Sequence, residues 1–486
     1  MLQALYNSLH IHENRNAFCI NGKYYTYKQL LCLVSKVRYR IKESVPEKIV
    51  GLVANDDLET YASILALWFE GKAYVPLHPD APVERNLNVI RLSEMKTLLT
   101  SQTVDYPGVQ IEDTTLFDQV LVEDIIEEHA KEDLAYILFT SGSTGVPKGV
   151  PINLANIAGF VEAFYALGYK IDAEDRCLQM FDLTFDLSVM SYLIPLLNGA
   201  CVYTIPHSEI KYSYIAELME TQKLTVALMV PSILHYLRPY FDEIECDSMK
   251  YSLFCGEALP LEMIEEWGKC VPAARIDNVY GPTEDTIFCT AYSFRRNGPN
   301  KSWNGVLSIG KAMKGTLTMI VNGDGEPVAV GDTGELCLAG VQLTPGYWMN
   351  EEKNAESFFL KDGIRFYRTG DLCSEDADGD IMYHGRADFQ AKIQGFRVEL
   401  SEIEYHVKKI VGNRVNAVAV AFVNAIGNTE IGLVFESDSF DVTFCLEELK
   451  QRLPAYMIPT RVHFSPHFPL NVNGKIDRKK LKELFG

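Results

Sequence analysis

The residues best suited to chemistry begin in the run Leu134-Ala135-Tyr136-Ile137-Leu138-Phe139, which leads straight into Thr140-Ser141-Gly142-Ser143-Thr144-Gly145-Val146-Pro147-Lys148-Gly149. A buried strand that opens into small hydroxyl residues and glycines offers backbone N–H groups and hydroxyls to phosphate oxygens, with the Lys148 ammonium beside them. The loop is not a Walker A motif, because Pro147 stands where a glycine must precede the lysine. It is not a G-x-S-x-G nucleophile elbow either. A Ser/Gly/Thr cluster alone is usually a surface loop; its place after a strand and its Pro-Lys-Gly exit favour phosphate. Asp186 lies in the apolar run Phe185-Asp186-Leu187-Ser188-Val189-Met190. A buried aspartate needs a cation or hydrogen bonds. Either it shares a helix cap with Ser188, or it faces a cationic ligand group. Lys475 sits in a Gly turn of a short basic tail, Asn473–Lys482, which by itself reads as a solvated end.

These residues need elements to hold them. Tyr27–Lys42 and Leu58–Phe69 have helical spacing, while Ile49–Ala54 and Ala73–Leu77 read as short buried strands. The rhythm continues through strand Ala135–Phe139, helices Asn153–Tyr165 and Leu187–Leu197, strand Ala200–Ile205, helix Tyr212–Thr221 and strand Thr225–Val230. Such alternation predicts parallel sheet with crossover helices. From Ile309 to Gly346 short strands with Gly turns predict an antiparallel, barrel-like subregion. The tail has helix Ser401–Ile410, β-branched runs Val415–Phe422 and Ile431–Phe435, and helix Phe444–Leu453. The expected fold class is therefore α/β. A large N-terminal domain of mixed and parallel sheets spans residues 1–387, and a small α+β domain spans 388–486.

Composition excludes several classes. The chain has 486 residues, 47% hydrophobic and 23% charged, which is ordinary globular usage. Its 65 acids against 45 Lys+Arg give a net charge of −20, so it is not expected to bind nucleic acid or anionic membranes. Acidic stretches at Val122–Asp133 and Ser374–Asp380 read as solvated faces. The 11 cysteines form no C-x-x-C pair, and no H-E-x-x-H occurs, so neither a zinc ribbon nor a zincin is indicated. Reduced, mostly buried thiols fit a cytoplasmic protein. The N-terminus lacks a signal-peptide pattern and no apolar run reaches bilayer length, so no membrane insertion is expected.

Further segments in order complete a pattern. They are Tyr25–Leu30, Gly71–Leu77, Asn278-Val279-Tyr280-Gly281-Pro282-Thr283-Glu284, Gly334-Glu335-Leu336, Tyr367-Arg368-Thr369-Gly370-Asp371-Leu372, Gly385–Gln390, Leu453–Pro459 and Asn473–Arg478. Together with the Thr140–Gly149 loop and Phe185–Ser188 they resemble the adenylate-forming superfamily, in its amino-acid-activating branch, over nearly the whole chain. The resemblance implies ATP and Mg²⁺ as cofactors. The reaction it implies is carboxylate plus ATP to acyl-adenylate plus pyrophosphate, followed by thiol attack. It assigns ATP to Thr140, Ser141, Gly142, Ser143, Thr144, Gly145, Lys148, Gly256, Glu257, Ala258, Asn278, Tyr280, Gly281, Thr283, Asp371 and Arg386. Glu284 is the implied metal ligand. Lys475 would bridge substrate carboxylate and α-phosphate during adenylation. The small domain would rotate about Asp388, and Lys392 would then replace Lys475 near the site.

The resemblance also gives Asp186 a partner, the α-ammonium of an amino acid. The remaining pocket positions it implies are Leu187, Met190, Ser232, Leu253, Cys255, Val279, Ile287 and Phe288. Bulky apolar residues there favour a small uncharged side chain. Phe185–Met190 and Leu253–Pro260 look most like the ligases that charge carrier proteins with D-alanine, and Cys255 matches the cysteine credited there with enantiomer choice. Val279 and Asp285-Thr286-Ile287-Phe288 depart from that pattern, which leaves Gly, L-Ala or Ser as alternatives. An acyl-CoA ligase is a further one. The sequence shows no carrier-attachment segment after Lys475, so the expected acceptor is the phosphopantetheine arm of a carrier protein supplied in trans.

Overall fold

The computed structural model describes residues 1–121, 125–126, 129–142, 145–412, 414–470 and 476–486. A six-stranded sheet carries the strands in the order Gln110–Asp113, Thr97–Thr100, Ile49–Val53, Ala73–Leu77, Leu134–Thr140 and Lys148–Asn153. All neighbours are parallel except the last pair, which is antiparallel. The sheet is thus mixed, as expected, with its antiparallel pair at one edge. The Thr140–Lys148 connection is too short to cross over a sheet face, so the chain must turn straight back. The segment thus joins the two strands of a hairpin, with Thr140 paired to Lys148.

A nine-stranded sheet follows the same logic, with a parallel centre and antiparallel edges at Asn16–Ile20/Lys23–Thr26 and Arg275–Tyr280/Thr290–Ser293. Helix Leu58–Phe69 is buried almost all round, and its cap residue Asp57 accepts from the Thr60 amide. Helix Leu187–Leu197 is similarly enclosed. Both lie within one apolar cluster that runs from Leu5 to Tyr367, which is what helices apolar on every face require.

Thr316–Val321, Gly334–Gly340, Phe358–Lys361, Ile364–Glu375 and Ile381–Arg386 form a five-stranded antiparallel sheet, the barrel-like region the Gly turns predict. The Ser374–Asp380 stretch is not a plain solvated face. Asp376, Asp378 and Asp380 each place a carboxylate 2.7 Å from Lys301 Nζ, and Lys311 Nζ lies 4.0 Å from Asp380. Part of the Val122–Asp133 stretch lies outside the described residues.

Beyond Arg386 the chain forms the hairpin Gln390–Ile393/Phe396–Glu399, helix Leu400–Val411 and a three-stranded sheet of Ala417–Val423, Thr429–Glu436 and Arg461–Ser465. These residues share their own apolar cluster, from Ala391 to Met457. All 11 cysteines are free. Among the described residues no helix is long and apolar enough to cross a membrane.

Candidate active site

Four elements converge at the carboxyl ends of the central strands. They are the start of helix Leu187–Leu197, the turn after strand Tyr251–Phe254, the turn after strand Arg275–Tyr280, and the 390–399 hairpin. A small cleft of about 40 Å³ is lined by Asp186, Leu187, Cys255, Gly256, Tyr280, Gly281, Thr283, Ile287, Asp371, Arg386, Lys392 and Arg397, among others.

Asp186 occupies the N-cap position of its helix but makes no side-chain cap bond. Its Oδ2 is buried and finds no hydrogen-bond partner among the described residues. Burial raises its carboxyl to about 7, against the lowering by the Thr283 hydroxyl and the Leu187 and Ile287 amides. Ser188 turns its hydroxyl back to the Phe185 carbonyl instead, at 2.6 Å. The capping reading of Asp186 therefore fails. A buried, unpartnered carboxylate oxygen is costly unless something cationic completes it.

Asp371 and Tyr280 are tied together: the Tyr280 hydroxyl donates to Asp371 Oδ2 at 2.5 Å, while Arg386 Nη1 donates to Asp371 Oδ1 at 2.9 Å. Arg386 also grips Asp388 through two bonds, which fixes the chain where it enters the 390–399 hairpin. Lys392 Nζ stands 5.5 Å from the centroid of the Tyr280 ring. Asn278, Val279, Gly256 and Ala258 line an adjoining gap with Lys392. The Asn278 amide nitrogen is committed to the Leu307 and Ser308 carbonyls at 3.2 and 2.9 Å.

Glu284 is fully buried and accepts from Tyr347 at 2.6 Å. Arg397 Nη1 reaches both its oxygens, at 3.1 and 3.0 Å. Burial alone would raise this carboxyl; the Arg397 guanidinium, the Tyr347 hydroxyl and Lys148 outweigh it and hold it at about 2. An ionised carboxylate near Lys148 is a suitable ligand for Mg²⁺, which takes one or two carboxylates plus phosphate and water. In this arrangement its charge is met by Arg397 instead.

The loop residues are also engaged. Ser141 Oγ donates to the Arg397 carbonyl at 2.7 Å and accepts from the Glu399 amide at 3.1 Å. The Gly142 amide donates to Glu402 Oε2 at 3.1 Å, and Lys148 Nζ lies 3.2 Å from Glu399 Oε1. Gly142 must be glycine here, because a Cβ would sit 1.9 Å from the Val146 carbonyl oxygen. Ser143, Thr144 and Lys475 lie outside the described residues.

Glu257 lines the gap beside Asn278 and Tyr280 and also bonds the Ser232 and Gly395 amides, both at 2.7 Å, so that it clamps the hairpin tip. Two pocket expectations meet different geometry. Met190, Leu253 and Phe288 do not line the Asp186 cleft. Met190 faces a separate gap lined by Cys177, Leu178 and Ile194, and Phe288 packs edge-on against Phe160. Ser232 instead lines a larger cavity of about 630 Å³ with Phe181, Tyr236, Phe396 and Tyr456, which reaches Asp186, Thr283 and Arg397. Sequence reasoning missed Arg397, Tyr347, Glu399 and Glu402. The signal for them was charge alternating with apolar residues in Arg397-Val398-Glu399-Leu400, a strand entering a helix with acids facing a cationic loop.

Comparison with known proteins decides the family. The family model described as AMP-binding enzyme matches residues 6–348. The chain belongs to the AMP-binding enzyme family, the adenylate-forming superfamily that its motifs resemble. D-alanine–D-alanyl carrier protein ligase of Lactiplantibacillus plantarum is 30% identical over 96% of this chain and 95% of its own. A linear gramicidin synthase chain of Brevibacillus parabrevis is 35% identical over 90% of this chain, which spans only 8% of that protein. Among solved structures, the Vibrio cholerae adenylation domain AlmE, in complex with glycyl-adenosine-5′-phosphate, superposes with a TM-score of 0.88 at 26% identity, covering 99% and 97% of the two chains. In this AMP-binding enzyme Tyr280, Thr283 and Asp371 line the small cleft, while Leu138–Ser141 of the 134–153 hairpin line the larger cavity, which also reaches Thr283.

Proposed function

We propose that this enzyme activates a small neutral amino acid as its adenylate, releasing pyrophosphate, and passes the aminoacyl group to a phosphopantetheine thiol on a carrier protein. The observation that carries the reading is Asp186: a buried carboxylate with an open oxygen in the cleft that also holds Tyr280, Asp371 and Arg386. It would take the α-ammonium, while Cys255 and Ile287 limit the side chain. Asp371 would meet the ribose hydroxyls and Tyr280 the adenine ring, with Arg386 holding Asp371 in place. Glu284 would hold Mg²⁺, whose charge stabilises the phosphates during transfer. Lys475 would serve adenylation and Lys392 thioester formation, the small domain of residues 388–486 turning about Asp388.

The 630 Å³ cavity supports the second step, since it is large enough for a slender arm and leads to Asp186 between apolar walls. A carrier protein as acceptor is supported by the likeness to D-alanine–D-alanyl carrier protein ligase. D-alanine is the first candidate substrate, on Cys255. Glycine is the second, favoured by the 40 Å³ cleft and by the glycyl-adenylate in the AlmE structure. Amino-acid-dependent exchange of pyrophosphate into ATP, run with D-Ala, L-Ala, Gly, Ser and Cys, tests the reading. Exchange with one or two of the smallest is expected; none with any of the five would contradict it.

A further inference from the structure

The turn that carries Ile287 into the Asp186 cleft is strained, and one buried side chain holds it. Thr286 and Ile287 have φ of 49° and 74°, in the left-handed region that β-branched residues avoid. Ile287 nonetheless lines the cleft, and its amide faces the Asp186 carboxyl. Gln342 follows strand Gly334–Gly340 and is fully buried. Its Nε2 donates to the Asp285, Thr286 and Phe288 carbonyls at 3.3, 3.2 and 3.0 Å. The Thr286 hydroxyl donates in return to the Gln342 carbonyl at 2.5 Å. The reverse amide orientation would set an oxygen against three carbonyl oxygens, so these bonds fix which way the side chain lies. Gln342 Oε1 finds no partner among the described residues, a cost that the Nε2 bonds must offset. The backbone around Gln342 is held in turn. Asn156, on helix Leu154–Ala166, donates from Nδ2 to the Val341 and Leu343 carbonyls at 2.8 and 3.0 Å.

We propose that Gln342 is a positioning residue for the amino-acid pocket, holding residues 285–288 in the strained turn that puts Ile287 beside Asp186. Gln342 lines neither the cleft nor the larger cavity, so it acts on amino-acid binding through the turn. Without its three bonds Thr286 and Ile287 relax towards ordinary φ. The Ile287 amide then leaves Asp186, and the Ile287 side chain leaves the pocket wall. The Phe288 ring against Phe160 cannot replace the clamp, because an apolar contact has no direction and a carbonyl does. The nucleotide side of the cleft is held separately. Tyr280 is tied to Asp371, and the Glu284 carbonyl accepts from the Thr344 amide at 2.8 Å. The inference rests on the reading of Asp186 as the partner of an α-ammonium, but on no particular amino acid.

Exchange of pyrophosphate into ATP by the full-length enzyme tests this, driven by whichever of D-Ala, L-Ala, Gly, Ser and Cys the wild type accepts. Gln342→Met keeps the volume and removes the donors. It is expected to raise KM for the amino acid at least about tenfold, with kcat and KM for ATP within about twofold of the wild type, the split that loss of amino-acid binding alone produces. Thr286→Gly adopts a left-handed φ without strain. Added to Gln342→Met, it is expected to lower the raised KM at least about threefold, a rescue that a merely structural role for Gln342 would not give. Thr286→Val removes only the hydroxyl bond to the Gln342 carbonyl and is expected to raise KM for the amino acid about threefold; it decides the matter if Gln342→Met does not fold. An unchanged amino-acid KM in Gln342→Met, an equal rise in KM for ATP, or no rescue by Thr286→Gly would overturn the proposal alone. No exchange by the wild type with any of the five would overturn it together with the amino-acid reading.

Discussion

At the scale of single residues, Asp186 carries the most. Its carboxyl lies near 7 in the free site because burial penalises the charge. A ligand ammonium needs the ionised form, so binding below about pH 7 must expel a proton. The apparent KM for the amino acid is therefore expected to rise about tenfold per pH unit below 7 and to level off above it. Calorimetry in buffers of different ionisation enthalpy should register proton release at about pH 6 and none at about pH 8. Asp186→Asn leaves the ammonium without its anion, a loss of roughly 3–5 kcal/mol. It is expected to raise KM for the amino acid by at least a hundredfold while ATP affinity stays unchanged. Normal activation by that variant would contradict the role given to Asp186. Cys255 lines the same cleft, and burial lifts its thiol to about 12, so it acts as a neutral bulky group. A contact of one methyl is worth about 1–3 kcal/mol. Cys255→Ala is therefore expected to raise kcat/KM for L-Ala while changing D-Ala little. Equal ratios of the enantiomers in wild type and variant would show that Cys255 has no part in the choice.

At the scale of elements, the hairpin 134–153 meets the hairpin 390–399 through Ser141 and Lys148 on one side and Arg397 and Glu399 on the other. Gly142→Ala drives a Cβ into the Val146 carbonyl, so the loop must open. ATP affinity measured by calorimetry is expected to fall at least tenfold while the thermal midpoint shifts little, because the strands below the loop keep their pairing. The sequence made these elements largely legible. Helices Leu58–Phe69 and Leu187–Leu197 fall where their periodicity places them, because a long apolar run allows few alternatives. The antiparallel turn of Lys148–Asn153 was not legible, since a buried edge strand looks the same in either direction. Nor was the commitment of Glu257 to Gly395, or of Glu284 to Arg397. Residues more than a hundred positions apart meet only through the packing of whole units, and a local pattern holds no record of that. Asp186 was legible as an oddity, an acid in an apolar run, but its open oxygen emerged only from the fold.

At the scale of the whole molecule, the proposed function assigns one lysine to each of two half-reactions. Lys392 stands at the cleft in this arrangement, and the motif assigns Lys475 to the other. Lys475→Ala is expected to cut adenylate formation about a hundredfold or more, the cost of losing a charge at the transferring phosphate. It should leave thioester transfer from supplied aminoacyl-adenylate intact, while Lys392→Ala shows the reverse. Equal damage to both steps by either variant would count against a moving small domain. The central claim, that the acid activated is an amino acid, has a more direct test. The enzyme is incubated with ATP, Mg²⁺ and either an amino acid or its counterpart lacking the amino group, D-alanine against propionate and glycine against acetate, and the bound adenylate is identified by mass spectrometry. An aminoacyl-adenylate is expected from D-alanine or glycine and none from propionate or acetate; a propionyl- or acetyl-adenylate formed as readily would contradict the claim.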